Sequence, residues 1–181
     1  LDGANKGRGI AVGFWFNAGE SSSATISVNS DGTVGLTEGS PDIGGTRTSL
    51  SMQAAEVLGI PVEDVHPTVV GTDEIGYTLG TGGSRVTFAT GWAAYEAAQD
   101  VKQQMIKRAA TIWEVNADSV EMDKGILKSR EDPSLKMTFK ELAGELTDTG
   151  GPIMGRGTVN PKGVGGAFAG NIVDVEVDPE T

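Results

Sequence analysis

The chain has 181 residues, no cysteine, a single histidine and a net charge of −11. Disulfides, thiolate zinc sites, iron–sulfur clusters, a cysteine nucleophile and clusters of histidine ligands are therefore excluded within it. The acidic balance argues against nucleic acid or an anionic membrane as partner, since both call for a basic face, and no apolar run approaches the ~18 residues of a membrane span. No stretch has the layout of a secretory signal peptide. Hydrophobic content of 38% suffices for a core, and the length suits residues 1–181 as a single domain. The chain starts at Leu1 rather than Met and stops at Asp-Pro-Glu-Thr, which reads as a piece excised from something longer. Its 27 glycines follow no period; they cluster between apolar runs, where they permit tight turns and close backbone approach.

Residues 8–19, RGIAVGFWFNAG, are apolar and predict a buried strand. Ile26 and Val28 then alternate with Thr25, Ser27 and Asn29, a period of two. Ser30-Asp31-Gly32 reverses the chain into residues 33–37, a β-hairpin in which Asp-Gly is expected to supply positive φ angles. From Thr46 the period changes: Leu50, Ala54, Val57 and Leu58 share one helical face, Gly59 ends the helix and Pro61 confirms the stop. A strand follows near 66–70, then a loop over 71–84 with five glycines. A second helix is predicted from about Thr87 to Trp113, with Ala94, Ala97, Val101, Met105, Ala109 and Ile112 as its apolar stripe. Ala93, Ala94, Ala97 and Ala98 are small enough to imply close approach of another element. Residues 114–150 read as an excursion: a hairpin around Asp123-Lys124-Gly125, then a short helix over 138–146 opened by a capping box of Thr138 and Glu141. A glycine- and proline-rich link leads to a last strand at 168–177, rich in β-branched residues. Helices and strands mix without strict alternation and no internal repeat is evident. The expected class is α+β: a mixed β-sheet with two long helices packed on one face, plus a small hairpin and a short helix.

Two glycine runs each lead into one of the long helices: Asp-Ile-Gly-Gly-Thr at 42–46 and Gly-Thr-Gly-Gly-Ser-Arg at 80–85. A helix N-terminus leaves backbone amides unpaired and carries partial positive charge, and glycine removes the side chains that would keep a ligand away. Gly44, Gly45 and Thr46 can present amides to an oxyanion or a polar ring edge. Gly82, Gly83 and Ser84, with charge added by Arg85, suit a phosphate. Each run alone also reads as an ordinary feature: a glycine turn with Thr46 or Thr48 as N-cap, or a flexible surface loop. Together they point to a small polar ligand lying across two helix mouths. The second run is not a Walker loop, because Gly-Lys-Ser/Thr is absent, nor a dinucleotide fingerprint, because no strand immediately precedes a G-x-G-x-x-G. His66 has no partner motif, Asp73 and Glu74 do not by themselves make a cation site, and Phe14, Trp15 and Phe16 read as core rather than a substrate cage. No catalytic residue and no metal ligand is identified.

The order GRGIAVGFWF, VNSDGTVGLTEGSPDIGGT, AAEVLGIPVEDV, GTGGSRVTFATGWAAYEAA, GNIVDVEVDPET resembles the molybdenum-cofactor-binding domain of the xanthine dehydrogenase and aldehyde oxidase family. The likeness covers nearly the whole chain and is most specific over residues 31–98. It implies part of the catalytic subunit of a molybdenum hydroxylase, an oxidoreductase that oxidises a C–H bond of an aldehyde, N-heterocycle or similar small-molecule substrate, with oxygen from water and a glutamate base. It also implies a molybdenum–pterin cofactor, in bacterial members the cytosine dinucleotide form. The implied partners are the rest of the molybdenum subunit and iron–sulfur and flavin subunits or domains.

Carried over by position, the family's Gly-Gln-Gly segment falls on Gly44, Gly45 and Thr46, and its phosphate-gripping segment on Gly82, Gly83, Ser84, Arg85 and Val86. Gly45 stands where the family usually has Gln and offers only its amide; Thr46 stands where the family has Gly. In family order the catalytic glutamate follows the strand that ends here at Asp-Pro-Glu-Thr, and a glycine-rich loop near the metal precedes Leu1. The isolated chain is therefore expected to hold little or no cofactor and to be inactive, in the cytoplasm or the periplasm. The alternative is a non-catalytic binding or interaction module with the same fold, motivated by Gly45 and by the missing segments. A generic nucleotide-phosphate binder is a third reading.

Overall fold

The computed structural model describes residues 3–162 and 164–181. In chain order the elements are β1 (Lys6–Asn17), β2 (Ser22–Val28), β3 (Val34–Glu38), α1 (Thr46–Leu58), β4 (Val65–Val69), the single turn α2 (Thr72–Ile75), α3 (Gly91–Trp113), β5 (Val120–Asp123), β6 (Ile126–Ser129), β7 (Lys136–Thr138), α4 (Phe139–Glu145), β8 (Met154–Val159) and β9 (Val164–Glu176). The class is α+β.

The period-two segments build a mixed sheet in the order β4-β3-β2-β8. β2 pairs antiparallel with both β3 and β8, while the β3–α1–β4 crossover leaves β4 parallel to β3. Ala24, Ile26, Val34 and Leu36 point to the face covered by α1 and α3, where they are fully buried with Leu50, Leu58, Val101 and Met105. Thr25, Ser27 and Thr37 take the opposite parity and are only half-buried, so one face of the sheet is solvated. The β2–β3 turn is tighter in its use of glycine than expected. Only Gly32 has a positive φ (88°); Asp31 instead accepts from the Thr33 amide at 2.9 Å and the Thr33 hydroxyl at 2.7 Å.

The small residues of α3 do admit a close neighbour, and that neighbour is β8. A Cβ added to Gly155 would run into the Ala97 carbonyl, and one added to Gly157 into the Ala93 carbonyl. Glycine-rich MGRGTV reads in sequence as part of a link. It is a strand of the central sheet because a helix backbone lies directly on it, which only glycine allows.

The expectation of a buried first strand is corrected. Among the described residues β1 pairs only with β9, as a two-stranded antiparallel ribbon. Its register sets Ile10 opposite Ile172 and Phe14 opposite Phe168 on one face with Val12, and these five side chains are 67–74% exposed. Phe14, Trp15 and Phe16 are therefore not core here: a two-stranded ribbon has no second layer to bury either face.

Beyond α3, β5, β6 and β7 form a three-stranded sheet, one strand more than the expected hairpin. The capping box at α4 is present as read: the Thr138 hydroxyl accepts from the Glu141 amide at 3.1 Å, and the Glu141 carboxylate accepts from the Thr138 amide at 2.8 Å.

Because Gly157 has no room for a methyl group, Gly157→Ala is expected to lower unfolding stability by roughly 2–3 kcal/mol or more. Gly7→Ala, on the ribbon where nothing lies within 4 Å of an added Cβ, is expected to stay within about 0.5 kcal/mol of the parent. Chemical denaturation of the two variants checks the contrast.

Candidate functional site

At the first mouth, Gly44 and Gly45 take left-handed backbone, with φ of 71° and 77°, and Gly45 is the N-cap of α1. Neither Thr46 nor Thr48 caps the helix. Asp42 does so from the preceding turn: one carboxylate oxygen accepts from the Arg47 amide at 3.1 Å and the Thr46 hydroxyl at 3.2 Å, and the other from the Arg47 Nε at 3.1 Å. The bond from the Arg47 amide holds the Asp42 carboxyl below its usual range, so it is ionised at neutral pH. An added Cβ on either glycine would meet nothing within 4 Å. The mouth thus has room for a ligand, but an anion there would face a resident carboxylate. A side chain at position 45 would find space and still be strained by the positive φ.

At the second mouth, Gly80 and Gly82 also face open space, and neither has a positive φ. Nothing in their own backbone or surroundings among the described residues demands glycine. Gly83, with φ 64°, is different: an added Cβ would sit 2.8 Å from the Ala18 Cβ, and its carbonyl accepts from the Ala18 amide at 3.0 Å. Ser84 is exposed and left-handed at φ 54°, a conformation that costs serine roughly 1 kcal/mol. A π-type turn over Val86–Thr90 follows before α3 becomes regular; such turns collect at functional sites. Val86 is buried and has only its backbone to offer.

A groove of about 460 Å³ opens beside Ser84, lined by Gln53, Thr87, Phe88, Trp92 and Tyr95. Gln53 Nε2 donates to the Thr87 carbonyl at 3.2 Å and ties α1 to the π-type turn, while its Oε1 is buried without a partner among the described residues. A larger hollow of about 600 Å³ between α3 and β8 lies away from both glycine runs. Among the described residues no group of three or more His, Asp or Glu side chains could hold a metal ion.

Arg85 points inward. Its Nε donates to the Gly19 carbonyl at 2.7 Å, one terminal nitrogen to the Leu79 carbonyl at 2.8 Å, and the other to the Ser21 carbonyl at 2.6 Å, the Ser22 hydroxyl at 2.6 Å and the Glu20 carbonyl at 3.4 Å. The residue is 1% exposed, and burial pulls its pKa below the ordinary arginine value; it remains charged at neutral pH. Its contacts are all to its own chain, so it shapes the mouth from beneath.

Sequence reasoning missed what lies next to it. The Ser22 hydroxyl is 3.0 Å from the Thr90 hydroxyl, which is 2.9 Å from the Ser40 hydroxyl, and the Ser40 amide donates to the Glu38 carboxylate at 2.5 Å. Glu38 is 1% exposed, and burial pushes its carboxyl above the usual carboxylate range. The signal was present: Glu38 continues the inward parity of Val34 and Leu36.

A family model described as a molybdopterin cofactor-binding domain matches residues 2–181. The chain belongs to this family. Within the molybdopterin-binding family it is similar to the xanthine dehydrogenase molybdenum-binding subunit of Escherichia coli O157:H7, 30% identical over 166 residues that cover 88% of this chain and 22% of that subunit. It is also 34% identical over 122 residues to the carbon monoxide dehydrogenase large chain of Afipia carboxidovorans, covering 67% of this chain and 15% of that one. Among solved structures, the Cu,Mo-CO dehydrogenase in its carbon monoxide reduced state superposes with a TM-score of 0.83 at 27% identity, covering 98% of this chain and 25% of that chain. Quinoline 2-oxidoreductase from Pseudomonas putida 86 shares the fold, with a TM-score of 0.74 at 22% identity. The chain spans a quarter or less of the length of each of the first three relatives.

The two carboxyls carry opposite pH signatures. Glu38 has a raised folded-state pKa, so its contribution is fullest below the unfolded value and is lost as pH rises through the folded one. Glu38→Gln is therefore expected to gain stability relative to the parent as pH rises from about 4 towards neutrality. Asp42 has a lowered pKa, so its contribution is present above the unfolded value and is lost as pH falls through the folded one. Asp42→Asn is expected to be the less stable protein at neutral pH, with the gap closing on acidification. Thermal unfolding across a pH series reads both slopes.

Proposed function

We propose that the chain is part of the molybdopterin-binding catalytic subunit of a molybdenum hydroxylase, with its two helix mouths forming one wall of the cofactor site. The observation that carries the reading is the second mouth. Gly80 and Gly82 keep open a surface that the described chain does not fill, beside a serine held in left-handed backbone. Backbone strain and unfilled space at an exposed helix entry, in a chain of this family, fit a ligand approaching closely.

The charges divide the labour. Asp42 makes the first mouth unfavourable to an anion, so Gly44, Gly45 and Thr46 serve a neutral polar part of the cofactor. The amides and hydroxyl of Gly82, Gly83 and Ser84, with the Val86 backbone and the buried positive charge of Arg85 below, serve its phosphate. The bound group would supply the redox chemistry, in the cytosine dinucleotide form of bacterial members; this chain's residues bind and orient it. The substrate class is a small molecule with an oxidisable C–H bond, an aldehyde or N-heterocycle.

The exposed apolar face of the β1–β9 ribbon supports a place within a larger assembly: the rest of the molybdenum subunit covers it, with iron–sulfur and flavin subunits or domains beyond. Among the described residues no helix is long and apolar enough to cross a membrane, and the compartment proposed is the cytoplasm, with the periplasm the alternative. The second reading, a non-catalytic module, is favoured by one observation: the guanidinium of Arg85 is consumed by its own chain and does not reach the mouth surface.

Gly82→Val, introduced in the full-length protein that carries this chain, tests the proposal. An added side chain there meets open space, so unfolding stability is expected to change by no more than about 0.5 kcal/mol, while bound molybdenum and pterin fall at least severalfold. Undiminished molybdenum and pterin would remove the second mouth from the site. Ser84→Gly separates strain from binding: glycine relieves the left-handed backbone, so stability is expected to hold or rise by up to about 1 kcal/mol as cofactor content drops.

A further inference from the structure

The Arg85 guanidinium donates to the Ser22 hydroxyl, the hydroxyls of Ser22, Thr90 and Ser40 are in hydrogen-bond contact in that order, and Ser40 reaches the Glu38 carboxylate through its backbone amide. The Thr90 hydroxyl stands within hydrogen-bond distance of both the Ser22 and the Ser40 hydroxyls, donating to one and accepting from the other or accepting from both. All five residues are buried, with relative exposures of 0–1%. Each hydroxyl comes from a different part of the fold: Ser22 from the start of β2, Ser40 from the segment leading into the first mouth, and Thr90 from the end of the π-type turn.

We infer that Thr90 is a positioning residue that holds the two helix mouths in fixed relation. Its hydroxyl is the one link shared by the Ser22–Arg85 half, which backs the second mouth, and the Ser40–Glu38 half, which precedes the first. The inference rests on the proposed function only for what the mouths hold; the tie is a property of the chain itself. Gln53, which joins α1 to the Thr87 carbonyl, is a separate connection that bypasses Thr90.

Thr90→Val keeps the side-chain shape and deletes the hydroxyl, and Thr90→Ser keeps the hydroxyl. Amide hydrogen exchange on the full chain without cofactor reads the result. In Thr90→Val, exchange is expected to quicken roughly tenfold at both 40–47 and 82–89, the size expected for one lost buried hydrogen bond, with β5–β7 unchanged and Thr90→Ser like the parent. Quickening at one mouth only, at neither, or equally in Thr90→Ser overturns the inference. Ser40→Ala cuts the next link and is expected to reproduce the two-mouth pattern; if Thr90→Val does not fold, loosening of the first mouth alone in Ser40→Ala overturns the inference in its place. If both mouths loosen in Thr90→Val while the full-length protein keeps its molybdenum, the tie stands and the cofactor reading fails.

Discussion

A positive charge placed in a protein interior must have its donors met, or it costs several kcal/mol. Arg85 has no carboxylate within ion-pair distance among the described residues, so backbone carbonyls converge on it instead. That requirement shapes the chain around it. Gly19 and Glu20 take successive left-handed conformations, at φ 65° and 68°, in the stretch whose carbonyls at 19, 20 and 21 face the guanidinium. Leu79 is drawn in from the other side. The glycine run next to Arg85 is therefore anchored at its base while its outer surface stays open, the combination a preorganised binding loop needs.

The central sheet provides the platform for this arrangement. α3 can lie close on β8 because Gly155 and Gly157 meet the backbone beside Ala93 and Ala97. That contact fixes where α3 begins, and so where Thr90 and the second mouth stand relative to β2. α1 is placed by the β3–α1–β4 crossover and caps itself with Asp42. The two mouths thus differ in character despite similar glycine runs. One carries its own carboxylate; the other is underlain by a guanidinium. This electrostatic asymmetry makes the two mouths unequal towards an anion.

Local elements were largely legible in the sequence because local physics sets them. Gly59 ends α1, with φ 66° and its amide bonded to the Ala55 carbonyl, because only a left-handed residue satisfies the last carbonyls there. Thr138 and Glu141 cap α4 for similarly local reasons. The candidate site was legible as two places, the glycine runs, but not in the role of each side chain. Arg85 reads as a surface cation beside a phosphate loop, and nothing local says that it turns inward. Ser22, Ser40 and Thr90 carry no motif, and only their meeting in space makes them a unit. β8 escaped notice because its glycines have meaning only against the helix that crosses them. Phe14, Trp15 and Phe16 looked like core because apolar composition predicts burial, whereas burial requires a second layer.

By itself, the sequence determined the C-terminal stop of α1, the cap of α4, the mixed α+β class and the two glycine-lined helix mouths, since these follow from periodicity, capping and backbone freedom over a few residues; the order of its motifs gave the resemblance to the family. The tertiary structure alone decided that Asp42 occupies one mouth, that Arg85 supports the other from below, and that Thr90 links them. Those are contacts between residues up to 68 positions apart, and the geometry that brings hydroxyl to hydroxyl exists only once the sheet and both helices have packed.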